Sequence, residues 1–231
     1  MATVLLLRHG RTTANADGTL AGRRAVHLDD VGRAQAESVG ARLRAAAPAA
    51  VVSSPLRRCR QTLRLALPRV GVTVDDRLTE CGYGDWEGQP LRRLATDPLW
   101  SRVQQHPSAV TFPAGEPLAA MSARAVAAIR EWDDRITAQH GPDAVWVACS
   151  HGDVIKAIVA DALGLHLDLY QRIVVDPASI TAVRYTELRP FLLRLNDTGA
   201  AAPAAPGGGA VAGAAASDAA VGGGAGGWTY G

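Results

Sequence analysis

The 231-residue chain is poor in lysine, in cysteine and in long apolar runs, and each shortage removes a class of protein from consideration. Lys156 is its only lysine, so nearly all of the positive charge is guanidinium, a bias that genome base composition explains as readily as a need for phosphate-binding forks. The three cysteines, Cys59, Cys81 and Cys149, are odd in number and share no paired spacing, which argues against a disulfide framework and against a structural zinc site. They fit a reducing, cytoplasmic setting. The 24 basic and 22 acidic side chains leave a net charge of only +2, so no global field recruits nucleic acid or an acidic membrane, and any affinity for anions has to be local. The first apolar run, Val4 to Leu7, is cut off by Arg8 before it reaches the length of a signal-peptide core, and the later runs are no longer than strands. A protein without a membrane or nucleic-acid partner is therefore expected.

What the chain does contain alternates between two periods. Thr3 to Leu7 reads as a strand buried on both faces that opens into a loop at Arg8-His9-Gly10. Asp29 or Asp30 can cap a helix whose apolar positions are Val31, Ala34, Val39 and Leu43, ending before Pro48. Val51-Val52 is a second short strand, and Ser54-Pro55 predicts a helix over 56–66 with Ser54 as N-cap, which sets Arg58 in the first turn. Val72 to Val74 predicts another strand, followed by the glycine-rich loop Glu80 to Gly88. Prolines and mixed polarity from Gly88 to Gly115 suggest short helices and loops, the place for a lid and for the walls of a cleft.

A long helix is predicted from Glu116 to about Gln139, on the stripe Leu118, Met121, Ala125, Ile129, Trp132 and Ile136. Ala144 to Cys149 repeats the buried strand, ends at Ser150-His151-Gly152, and leads into a helix from Asp153 to Leu163. Ser179 to Tyr185 and Phe191 to Leu195 read as a final strand pair. This order predicts a three-layer α/β/α fold around an open, mostly parallel sheet. One domain is expected over 1–198, and the Ala, Gly and Pro of 199–231 should form a flexible tail.

In open α/β sheets ligands bind beyond the carboxyl ends of the strands, where this reading puts both His9 and His151. A neutral imidazole whose second nitrogen is tied to a carbonyl has one nitrogen free to attack, so His9 is the candidate nucleophile. Arg8 and Arg58 offer guanidinium forks for non-bridging phosphate oxygens, and the helix end near Arg58 adds backbone donors. A leaving alkoxide needs a proton, which Glu80 can supply if its pKa is raised; Glu87, in the same loop, ranks second. His27, His106, His140 and His166 lack ligand-like spacing, and Arg57, Arg60 and Arg64 read as a solvated helix face. The acid pairs Asp29-Asp30, Asp75-Asp76 and Asp133-Asp134 read as caps and solvated turns, and Cys81 and Cys149 as packing groups.

These residues resemble the histidine phosphatase superfamily, the group that includes cofactor-dependent phosphoglycerate mutases, over about Thr3 to Thr198. Arg8-His9-Gly10-Arg11-Thr12-Thr13-Ala14-Asn15 is similar to its opening motif, which implies a phosphohistidine at His9 and phosphate contacts from Arg8 and Asn15. Ser53 to Thr62 resembles its second motif and assigns the phosphate role to Arg58. Leu78-Thr79-Glu80, with Gly84, Trp86, Glu87 and Gly88, resembles the acid-bearing segment. Ser150-His151-Gly152 resembles the second-histidine motif, adding His151 and Gly152 to the substrate contacts.

The resemblance implies a phosphomonoester hydrolase for a small phosphorylated metabolite, with no metal and no cofactor. The compact 88–115 segment lacks the basic, proline-rich insertions of the family's mutases and so favours hydrolysis over a phosphomutase. Phe112 to Glu116 is similar to a stretch that borders substrate in the phosphatase branch. A non-catalytic phospho-ligand binding module should have lost at least one of the four groups, and none is lost. Nothing in the sequence decides between a monomer and a homo-oligomer.

Overall fold

Continuous apolar runs become the middle of a sheet in the computed structural model, which describes residues 1–199. In chain order the elements are β1 (Thr3–Arg8), α1 (Thr13–Ala16), α2 (Asp30–Ala45), β2 (Ala50–Ser53), α3 (Arg57–Ala66) and β3 (Thr73–Val74). There follow α4 (Leu91–Leu94), α5 (Pro98–Gln105), α6 (Leu118–His140), β4 (Val145–Ser150), α7 (Gly152–Ala162), β5 (Ile180–Arg184) and β6 (Phe191–Asp197). The six strands form one sheet in the order β3-β2-β4-β1-β5-β6. The first four are parallel, and β5 and β6 add an antiparallel edge. The fold class expected from the sequence is the one observed. The tail expected over 199–231 lies, apart from Gly199, outside the described residues.

The sheet separates two cores. On one face Val4, Leu6, Trp146 and Ala148 pack with α6, α7 and the 88–115 excursion. On the other Leu7, Val51, Val147 and Cys149 pack with α2 and α3. Because side chains alternate along a strand, a central parallel strand must be apolar at nearly every position to serve both cores, which is why β1 and β4 are legible as unbroken runs.

Several local expectations are corrected. Val31, at 45% exposure, and Ala34 face outward on α2, whose buried line is Gly32, Ala36, Val39, Gly40 and Leu43. Asp29 is the N-cap and takes the Gly32 N–H at 2.7 Å, turning Gly32 inward. The third helix starts at Arg57 rather than Leu56, so Ser54 is not its N-cap; its hydroxyl takes the Leu56 N–H at 3.3 Å. Asp133 is fully buried on α6 rather than solvated, holding the Ala2 N–H at 3.1 Å and the Trp146 indole N–H at 3.2 Å. It thereby pins the start of β1 beside β4. No helix among the described residues is long and apolar enough to cross a membrane.

Candidate active site

Register brings the site together. Arg8 on β1 pairs with Ser150 on β4, and Ser53 on β2 with Cys149, so three parallel strands end within one residue of the same level. The next residue of each, His9, His151 and Ser54, therefore emerges at the same sheet edge. The His9 N–H continues the ladder to Ser150 O at 3.1 Å, and the Ser54 N–H does so to Cys149 O at 2.9 Å. Gly10 follows because the chain passes over α2 there: a Cβ on Gly10 would lie 2.5 Å from the Gly32 carbonyl oxygen. The Gly10 N–H is taken by Thr62 Oγ1 at 3.0 Å, which ties the loop after β1 to α3.

His9 Nδ1 lies 2.8 Å from Gly10 O, a contact that requires a proton on Nδ1 and leaves a lone pair on Nε2. That nitrogen accepts from Arg58 Nε at 3.1 Å. The same Nε reaches His151 Nδ1 at 3.2 Å, so His151 carries its proton on Nε2 and donates it to Ser54 Oγ at 2.7 Å. The two imidazoles meet edge to face, 5.2 Å between centroids. Arg58 is anchored further by the carbonyls of Gly22 at 2.7 Å and Arg24 at 3.2 Å. Burial, reinforced by Arg58, lowers the pKa of both histidines well below the ordinary value, so both are neutral at pH 7.

Arg8 is fully buried and donates to Val175 O. Burial lowers its pKa to about 10, which still leaves it a cation at neutral pH. Glu80 is buried at the end of the segment after β3, accepts the Cys81 N–H at 3.0 Å, and has its pKa raised to about 7 by burial and then by Asp153, against Arg58. A carboxyl so placed is poised to exchange a proton near neutrality.

Arg8, His9, Arg58 and Glu80 share the lining of one cavity of about 260 Å³. His151 and Gly152 do not line it; His151 stands one layer behind, in contact with His9 and Arg58. Asn15 does line it, although its side-chain oxygen is engaged by Thr12 N and Oγ1 at 3.0 and 2.8 Å in the cap of α1. Glu87 is absent from the lining; it binds the N–H groups of Arg23 and Tyr83 and braces the loop.

The cavity walls depart from the sequence reading. Of the 88–115 excursion only Leu91 contributes, and none of Phe112 to Glu116 does. Trp86 packs against Trp100 and Phe112, at 6.1 and 5.3 Å between centroids, which folds the excursion onto the core. Glu116 is spent on Gly82 N and Arg124. Residues 18–22 supply the wall instead, together with Arg11, Gln35 and Pro177. The only trace of that wall in the sequence is the pair Gly18 and Gly22, both at positive φ, 61° and 52°. Ser54 and Thr62 fall inside the second motif but carry no site role in the sequence reading, and the Gly22 carbonyl is unmarked. No group of three or more His, Cys, Asp or Glu able to hold a metal ion occurs among the described residues.

Known proteins of similar sequence and structure include phosphatases and a phosphoglycerate mutase. Glucosyl-3-phosphoglycerate phosphatase of Mycolicibacterium vanbaalenii is 32% identical over 170 residues, 71% of this chain and 76% of that protein. A probable phosphoglycerate mutase of Yersinia enterocolitica is 29% identical over 191 residues, covering 81% of this chain and 86% of that one. The solved structure of a mycobacterial glucosyl-3-phosphoglycerate phosphatase with VO3 superposes with a TM-score of 0.73 at 28% identity, over 84% of this chain and 98% of that one. The histidine phosphatase superfamily (branch 1) matches over residues 4–198, and the chain belongs to that family.

Proposed function

We propose that this protein hydrolyses phosphomonoesters of small metabolites through a phosphohistidine at His9. The observation that carries the reading is the His9 imidazole itself, Nδ1 tied to Gly10 O and Nε2 carrying a lone pair into a cavity lined also by Arg8, Arg58 and Glu80. Arg58 transfers its Nε hydrogen bond from His9 to an entering phosphoryl oxygen, which releases Nε2 for in-line attack. The Nε2–P bond forms as the ester P–O bond breaks, and protonated Glu80 gives its proton to the leaving oxygen. Glu80, now a carboxylate, takes a proton from water as the water oxygen attacks phosphorus and the N–P bond breaks, releasing phosphate and restoring the acid. Arg8 and Arg58 offset the charge on the equatorial oxygens throughout, and His151 holds Arg58 in place from behind.

The cavity volume and a rim mixing Arg11 and Gln35 with Leu91 and Pro177 favour a compact, polar leaving group. The names of the phosphatase relatives support hydrolysis. The mutase relative supports the same phosphohistidine with the phosphoryl group returned to an acceptor. A rapid-quench experiment tests the reading. Radiolabelled phosphate should appear on the protein as an acid-labile, chelator-insensitive burst, be lost in His9→Ala, and be released to water faster than any phosphorylated isomer forms. Full turnover by His9→Ala would defeat it, and dominant isomerisation would turn it into a mutase. Vanadate should inhibit competitively with substrate.

A further inference from the structure

Asp153 has no part in the steps above, yet it is fully buried in the first turn of α7, two residues after His151. Its partners are one residue from the loop that bears Glu80 and one from its own helix. Tyr83, in the loop that bears Glu80, donates its hydroxyl to Asp153 Oδ2 at 2.6 Å. Lys156, the only lysine of the chain, is 4% exposed and places Nζ 3.8 Å from Asp153 Oδ1. Lys156 is steadied in turn by Gln171 Oε1 at 3.1 Å and by the Tyr170 ring, 5.9 Å from Nζ to its centroid. A buried ion pair contributes little net stability against an apolar replacement, so its presence here asks for another reason.

We propose that Asp153 is a positioning residue for the reaction: with Tyr83 and Lys156 it ties the Glu80 loop to the helix that follows His151 and so holds the acid in place. The proposal rests on the reading of Glu80 as the acid. Around Glu80, Asp153 favours the protonated form, whereas Arg58 from α3 and Arg8 from β1 favour the carboxylate. Asp153 itself faces Tyr83 from the loop, Tyr170 from the turn Leu167–Arg172, Lys156 from its own helix and Arg8 from β1. Lys156 opposes Asp153, since a cation at that place draws negative charge onto Glu80. The two partners must therefore move the acid in opposite directions when removed, which packing alone does not require.

The test uses pH profiles of kcat/KM, which reports transfer to His9 and not the hydrolysis both esters share, on glycerol phosphate, whose alkoxide needs a proton, and on p-nitrophenyl phosphate, whose phenolate does not. Glu80→Gln comes first and should slow the alkyl ester selectively; equal slowing of both overturns the acid reading and this proposal with it. Given selective slowing, Asp153→Asn should move the alkaline limb on glycerol phosphate down by about one pH unit, a roughly tenfold loss above the limb, with a smaller change on the aryl ester. Lys156→Met should move the same limb upward. Limbs that stay in place, or move the same way, overturn the proposal while the acid reading stands. If Asp153→Asn does not fold, Lys156→Met carries the test alone, and a limb that stays in place or moves downward in that variant overturns the proposal.

Discussion

Arg58 spends its donors inside the protein, Nε on two imidazoles and the terminal nitrogens on the carbonyls of Gly22 and Arg24. A planar fork can serve four acceptors in fixed directions, whereas an ammonium is a point charge on a flexible stem. Arg58→Lys keeps the charge and loses the geometry, so kcat should fall by roughly a hundredfold to a thousandfold, the range for removing one preorganised oxyanion donor. Steady-state kinetics on any accepted phosphomonoester checks this; a loss under fivefold would show that charge alone suffices. The neighbouring Arg57, Arg60 and Arg64 are exposed, as their helical spacing predicted, and alanine at any of them should leave kcat close to the parent value.

The helices matter to the site through how closely they approach it. A Cβ on Gly32 of α2 would lie 1.9 Å from the Arg11 carbonyl oxygen and 2.7 Å from the Arg11 nitrogen, both backbone atoms of the loop that carries His9 and Gly10. Neither atom can rotate away, unlike the end of a side chain. Gly32→Ala should therefore displace the loop after β1 and cost about 1–3 kcal/mol, as overpacking in a tight core does. Urea denaturation measures the cost, and a parallel rise in KM for phosphate esters would show that the displaced loop is the one that binds them. Equal stability and unchanged KM would mean that α2 yields without disturbing the site. A Cβ on Gly40, on the same buried line, would lie 2.6 Å from Ala66 O of α3, so the small residues of α2 set its distance from two neighbours.

Across the whole molecule, burying these groups makes stability depend on pH in two opposed ways. His9 and His151 have folded-state pKa values below the unfolded value, so their contribution is complete above about pH 6.5 and is lost as pH falls, because the unfolded chain binds the extra protons. Glu80 runs the other way. Its folded pKa of about 7 exceeds the ordinary 4.5, so the native state holds the proton more tightly and stability declines as pH rises from 4.5 to 7. Glu80→Gln removes that decline. The variant should match the parent near pH 4.5 and exceed it by on the order of 3 kcal/mol at pH 8, the free energy of the pKa difference. Chemical denaturation at the two pH values tests it; a variant no more stable at pH 8 would mean that Glu80 ionises without strain.

The sequence by itself determined the sheet and the cast of chemical groups. Strand and helix periods are local, so β1, β4 and α6 could be read from their runs, and Arg8, His9, Arg58, Glu80 and His151 stood at element ends where residue type alone signals chemistry. Only the tertiary structure decided which of them face the cavity, because contacts such as Arg58 to His9 and to His151 span 49 and 93 positions and leave no trace in spacing. Burial was likewise decided by packing: Gly32 turned inward and Val31 outward because α2 had to pass close over the Arg11 backbone. Asp133, Asp153 and Lys156, polar and unremarkable as letters, became buried anchors because partners from other elements met them there.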